Sequence, residues 1–429
     1  MLNLKVAKKD TKAGYVPMAG FPCFQLNRYL KILVQDHNRF VAISEEFPRT
    51  DDDKSNTNLF SRKIARVISP GTLVDEDFMD PYIHNYLLAI SFPQSKEEPI
   101  GLAWIDLSTG DFFTQASSID AIKNDIARIS PREVLLMQEL QDNKGHELFD
   151  VLEEREHVVT YLADKSTDPS LWQKCISDAP ADLVKSFSDA EQVAATNILS
   201  YAAERLQDNF FDMQIPIRRT KDDSTVIDLN SMRALELKQT YRDQSTRGSL
   251  MSIIKRTVTK SGTRLLSDRL LSPITSVQEI NKRLDLVEVF VSNASLRGDI
   301  VASLRRCHDT QRICQKFAFA RGDADDLLAL ARTIKAAQDI RDKLQMSGIA
   351  PLQEMAANME ITIALAEKIN NTVDEESLHK KQRSEEDAAA LVVQRANIIV
   401  ENAENGAQEE AIPRRRRGES EDFWIMRKS

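Results

Sequence analysis

Three carboxylates close together in sequence, Asp106, Asp125 and Glu133, are the first candidates for chemistry in this chain. Asp106 sits in AWIDLSTGD, an apolar strand-like run followed by a glycine turn, which is how two-metal nucleases present their first magnesium-holding carboxylate. Such chemistry needs several carboxylates within a few ångströms. Asp125 and Glu133 are the nearby partners and neither lies in a recognisable motif, so a metal-dependent nuclease at Asp106 is a minor alternative. The histidines, His37, His84, His146, His157, His308 and His379, form no H-x-x-x-H or H-E-x-x-H pair, and no G-x-S-x-G elbow offers a serine nucleophile. Cys307 adjoins His308, but sequence neighbours on a helix point apart, so both are expected in packing. Cys23, Cys175, Cys307 and Cys314 are scattered without a C-x-x-C pair and read as reduced, buried thiols, with no zinc site or disulfide framework. None of the 13 glycines precedes a lysine, so the sequence holds no P-loop. No catalytic, metal or ATP-binding residue is expected.

Charge narrows the partners. The formal net charge of -9 repels a polyanion on average, so contact with nucleic acid has to come from local patches. The most basic long window, 242 to 269, holds Arg242, Arg247, Lys255, Arg256, Lys260, Arg264 and Arg269 against Asp243 and Asp268. A nucleic-acid footprint is conceivable there, but polar helix faces are the preferred reading. Arg414 to Arg417 read as a solvated loop, blunted by Glu419, Glu421 and Asp422. No apolar run is long enough to span a bilayer, so no membrane association is expected, and MLNLKVAKKD is not a secretory or mitochondrial leader.

The elements that must position these residues change character along the chain. A short strand over 2 to 7, a turn at KKDTKAG and a Pro- and Gly-rich loop at YVPMAGFP precede a helix over 24 to 34 and a strand at RFVAIS. RTDDDKSNTN is a polar loop. From about 69 to 163, YLLAISF and PIGLAWIDL are too short for helices and too continuous for a one-sided sheet, which predicts an α/β unit. STGD is its turn, 119 to 128 a helix and EVLLMQ a strand. From about 187 helices dominate. Ser276 and Glu279 make an S-x-x-E cap before a stripe of Val277, Ile280, Leu284, Val287 and Val291; Asp323 caps a helix over 323 to 341, another covers 377 to 402, and FWIMRKS is strand-like.

Several of these stretches, in order, resemble the MutS family of DNA mismatch-repair proteins, and details of the earlier ones resemble its fungal mitochondrial branch. YVPMAGFP with LNRYLKILVQDHNRFVAISEEF is similar to the proline-methionine-alanine-glycine loop, helix and strand of the mismatch-recognition domain. RKIARVISPGTLVDEDF, NYLLAI and GLAWIDLSTGDF resemble the passage into the connector domain and its central hairpin. VIDLNSMRALEL and GSLMSIIKRTVTKSGTRLLSDRLLSPI resemble the start of the core domain, with Arg269 where many members carry tryptophan.

The resemblance implies a multidomain α/β plus all-α chain: a partial mismatch-recognition α/β domain at 1–68, a ribonuclease-H-like connector at 69–195, and a helical core with an ascending, partial lever arm at 196–429. It implies that Lys8 and Lys9 lie beside bound duplex and that Pro17 and Met18 lie near the groove. Lysines anchor phosphates without reading sequence, and apolar side chains press on sugars or unstacked steps. The family's Phe-x-Glu wedge would precede Met1, and its clamp and ATPase would follow Ser429. Expected, then, is a scaffold without ATPase activity, binding double-stranded DNA weakly and non-specifically, with a MutL-type protein as a further partner and dimerisation open. ATP and magnesium belong to complete family members. The compartment implied is the mitochondrion, with the nucleus as alternative. A protein-interaction module that never touches DNA is the main competing function.

Overall fold

The computed structural model describes most of residues 2–375 and the strand Phe423–Arg427; residues 48–60, 75–78, 153–156, 164–169, 177–183, 207–212, 221–223 and 376–422 lie outside the description, with the chain ends and shorter gaps. The helix expected over 377–402, Arg414 to Arg417, Cys23 and the 49 to 58 loop therefore fall outside the described residues.

YVPMAGFP, expected as a loop, is a strand. β1 (Val6–Thr11) and β2 (Gly14–Pro22) form an antiparallel hairpin, so Lys8 and Lys9, expected in a turn, lie within β1. Gly14, at φ +105°, supplies backbone geometry that other residues rarely adopt where the chain reverses. Pro17 lies just beyond Met18–Pro22, the stretch of β2 that pairs with β11 (Phe423–Arg427); on that side Pro17 is at an edge, where a missing N–H is tolerated. Helix α1 (Leu26–Leu30) continues as a π-helical turn, Lys31–Asp36, and packs Leu30, Leu33 and Val34 on the paired strands β3 (Val41–Phe47) and β4 (Ser61–Ile68). Phe21 contacts Tyr29 at 4.6 Å between ring centroids, tying the hairpin to this small core.

The second unit is a six-stranded mixed sheet. β5 (Tyr86–Ser91), β6 (Ile100–Asp106), β7 (Asp111–Ser117), β8 (Glu133–Met137), β9 (Val158–Leu162) and β10 (Ile217–Arg219) lie in the order β10-β7-β6-β5-β8-β9. β5 to β7 are joined antiparallel, whereas β5, β8 and β9 run parallel. All of β5 and β6 is buried because helices cover both faces, α2 (Ile119–Ile129) on one and α3 (Ser170–Cys175) with α4 (Asp189–Leu206) on the other. At Gly101 a Cβ would stand 2.1 Å from the Ala190 carbonyl, so glycine sets how closely α4 approaches β6. α4 runs unbroken through 195, the expected end of this unit, and buries Ile198, Leu199, Tyr201 and Leu206 in the same core.

The remainder is helical: α5 (Leu229–Ala234), α6 (Leu250–Ile254), α7 (Lys260–Leu271), α8 (Val277–Ser292), α9 (Ala294–Leu304), α10 (Thr310–Ala318), α11 (Ala324–Met346), α12 (Ala350–Ala357) and α13 (Ile363–Thr372). Ser276 caps α8 by accepting from the Glu279 N–H, and Asp323 and Asp326 form a reciprocal capping box on α11. α8 is apolar on two faces. Leu286, Val289 and Phe290 pack toward Ile300, Ile340 and Leu352, whereas the stripe legible in the sequence faces outward, with Val277 70% and Leu284 58% exposed. Among the described residues no helix is long and apolar enough to cross a membrane.

Candidate nucleic-acid interface

The hairpin presents Lys8, which is exposed, on a small element. Register pairs Lys8 with Pro17, Lys9 with Val16 and Ala7 with Met18. Because strand residues alternate between faces, Lys8 and Pro17 share one face with Val6 and Tyr15, which are 63% and 73% exposed, while Met18 and Ala7 lie on the other. Pro17 is exposed and Met18 half-buried. The expected contacts are thus near one another without forming a single face. A basic group beside exposed proline and tyrosine can hold a phosphate while the rings press on sugars.

The three carboxylates do not converge. Asp106 is paired with Tyr86 and Glu133 with Leu87; consecutive residues of β5 face opposite sides, so Asp106 and Glu133 point to opposite faces of the sheet. Asp125 is held by Ser117 Oγ (2.5 Å) and Gln115 Nε2 (2.9 Å), at the other end of the strand from Asp111, which pairs with Asp106. That separation is roughly 13–20 Å at the rise of a strand. Glu133 is saturated by donors: Ser69 Oγ (2.5 Å), the Gly71 N–H (2.9 Å), Thr160 Oγ1 (2.7 Å) and Tyr201 Oη (2.6 Å). Among the described residues no three His, Cys, Asp or Glu side chains group as metal ligands. Opposed and internally bonded carboxylates do not fit two-metal catalysis at Asp106.

Asp106 serves a junction instead. Its Oδ1 accepts from the Ser108 N–H (3.0 Å) and Oγ (2.6 Å), and its Oδ2 accepts from the Asn85 N–H (3.1 Å) and lies 3.1 Å from His84 Nδ1. The other imidazole nitrogen lies 3.3 Å from Asp268 Oδ2 on α7, so His84 bridges the sheet and the helical unit. Burial opposes charge on His84, but contacts with Asp106 and Asp268 and their negative charges outweigh it and push the imidazole up to about 9. Burial likewise opposes ionisation of Asp106, yet His84, Arg312 and the Ser108 hydroxyl hold its pKa well below the usual carboxylate range. Nearby, Arg264 makes a buried bidentate pair with Asp309 (2.6 and 2.8 Å) and donates to the Pro81 carbonyl at 2.9 Å, while Arg312 donates to the Ile83 carbonyl at 3.0 Å. The loop before β5 is therefore gripped by α7 and α10. Sequence reasoning missed this junction, since its partners lie as far as 229 residues apart.

The basic window divides. Arg264 is structural, Arg247, Arg256 and Arg269 are exposed, and Arg242 and Lys255 line a cleft of about 1440 Å³ between the sheet unit and α5 to α7. The cysteines divide too: Cys175 is buried, Cys307 half-buried with its thiol pushed up by burial, and Cys314 exposed, contrary to the expectation of uniformly buried thiols. Cys307 Sγ lies 3.7 Å from the Ser303 carbonyl, in line with packing, whereas His308 is exposed, contrary to that expectation, and its backbone N–H donates to Thr333 Oγ1.

Family models for MutS domain I, MutS domain II and MutS domain III match residues 1–77, 85–212 and 230–416, in that order. The chain is 33% identical over 346 residues to the DNA mismatch repair protein MutS of Rhizobium meliloti (strain 1021), covering 79% of this chain and 37% of the relative. It is 30% identical over 334 residues to the protein of that name from Rickettsia canadensis (strain McKiel), covering 76% and 37%. For the one from Methanosarcina mazei the figures are 28% over 395 residues, covering 87% and 43%. The chain thus spans less than half the length of these relatives. Three successive domain matches across most of its residues, on a fold of hairpin unit, mixed sheet and helices, place the chain in the MutS family.

Proposed function

We propose that this chain is the DNA-proximal scaffold of a MutS-type mismatch repair protein, binding double-stranded DNA weakly and without sequence preference through Lys8, Lys9, Pro17 and Met18. The observation that carries this is the exposed hairpin, with Lys8 opposite Pro17 and flanked by Tyr15. Three units follow from the reading. Residues 1–68 are the mismatch-recognition domain, 69–195 the connector, whose covering helix α4 continues to Leu206, and 196–429 the core and ascending lever arm. Counted from β5, the strand order 3-2-1-4-5 with its first three strands antiparallel supports a ribonuclease-H-like connector. A MutL-type protein is the chain's further partner, and the compartment is the mitochondrion, with the nucleus as alternative.

Fluorescence anisotropy of the full chain with matched and singly mismatched duplexes, titrated across salt, tests the reading. Equal, salt-sensitive affinity on the order of 10⁻⁴–10⁻⁶ M for both duplexes is expected. Lys8→Glu with Lys9→Glu should abolish it. Mismatch preference, or binding indifferent to the double reversal, would overturn the reading. The exposed apolar stripe of α8 favours one second reading, a protein-interaction module, which absence of duplex binding at low salt would support.

A further inference from the structure

The cleft between the sheet unit and the helical unit is lined by Arg132, Arg233, Lys238, Arg242 and Lys255, against a single lining carboxylate, Asp80. In a chain of net charge -9 this is a local reversal of sign. The cations come from both walls: Arg132 just before β8, Arg242 in the turn before α6, Lys255 just after it. Among the described residues Arg132, Arg242 and Lys255 have no carboxylate within ion-pair distance, whereas Arg264 in the same basic window is consumed by Asp309. Two aromatic rings, Tyr82 at 44% and Tyr241 at 75% exposure, stand among them, and Lys255 Nζ sits 4.3 Å from the Tyr82 ring centroid, linking the walls.

Volume and chemistry together select the ligand class. About 1440 Å³ exceeds what a drug-sized molecule fills, and cations spread over two walls suit a chain of phosphates better than one anion. Exposed rings among the cations add stacking surface for bases, a combination used to hold single strands without reading sequence. A duplex presents its bases stacked and paired, out of reach of such rings. We propose that this cleft binds a single strand of nucleic acid, its phosphates on Arg132, Arg242 and Lys255 and its bases on Tyr82 and Tyr241. The site is separate from the β1–β2 hairpin and does not depend on the duplex-binding reading.

Anisotropy of the full chain with a labelled oligothymidylate of about 15 nucleotides tests this at low salt. Arg132 and Arg242 are exposed, so Arg132→Glu with Arg242→Glu removes no core contact and should weaken binding at least tenfold while flattening its salt dependence. Tyr241→Ala should weaken it about tenfold, within the range of one lost stacking contact. Lys8→Glu with Lys9→Glu should leave strand binding unchanged, which separates this site from the hairpin. The proposal is overturned if the cleft reversal leaves strand affinity intact, if the hairpin reversal removes it, or if inorganic tripolyphosphate competes as well as the oligonucleotide at equal phosphate.

Discussion

Arg264 and Asp309 show how a residue's role depends on its surroundings rather than its type. Both side chains are almost fully buried, at 2% and 1% exposure, and each satisfies the other in two hydrogen bonds. The pair's net contribution is modest, because desolvating two ions offsets their attraction, but removing one member strands the other. Arg264→Ala is therefore expected to cost about 3–5 kcal/mol, read as a lower urea midpoint with an unchanged slope. A loss below about 1 kcal/mol would mean that water or a neighbour solvates Asp309. In sequence Arg264 is one of seven cations in a row of similar residues. Nothing local distinguishes it from Arg242, which lines an open cleft, because the distinction is made by Asp309 and the Pro81 carbonyl, 45 and 183 residues away.

Elements were legible where one local rule dominated. β5 and β6 announce themselves as continuous apolar runs, and α11 by its Asp323 cap. β2 did not, because proline and glycine signal loops, while strand pairing on one side and an edge at Pro17 on the other make the strand possible. α8 was legible as a helix but not in orientation, since two apolar faces compete and only the packing against α9, α11 and α12 chooses between them. Gly101 offers the test at this scale. Gly101→Ala would force α4 away from β6 at Ala190, and the protein should lose about 1–3 kcal/mol or more. An unchanged melting temperature would mean that α4 slides at no cost.

The whole molecule is joined at the loop before β5, where His84 links Asp106 in the sheet to Asp268 on α7. Its pKa is raised from 6.5 to about 9 by folding, so its stabilising effect is complete below pH 6.5 and is lost as pH climbs toward about 9. Asp106, whose pKa folding depresses, acts in the opposite sense: its contribution holds above the ordinary carboxylate range and fades in acid. Thermal melts should therefore fall across the alkaline window, and His84→Ala should remove that part of the fall. A variant with the parent's alkaline slope would show that the bridge is not what titrates.

By itself the sequence determined the class of each region: a small mixed unit with a basic pair near the start, an α/β unit with Asp106 before a glycine turn, and a helical second half. These follow from periodicity, turn chemistry and capping, which act over a few residues. The tertiary structure alone decided that Asp106 and Glu133 face opposite ways, that α4 belongs to the sheet past 195, and that Arg264 of the basic window is buried in a pair while Arg242 and Lys255 face a cleft. Each of those outcomes depends on partners far along the chain, and burial and charge pairing are properties of the neighbours that folding brings, not of the residue that meets them.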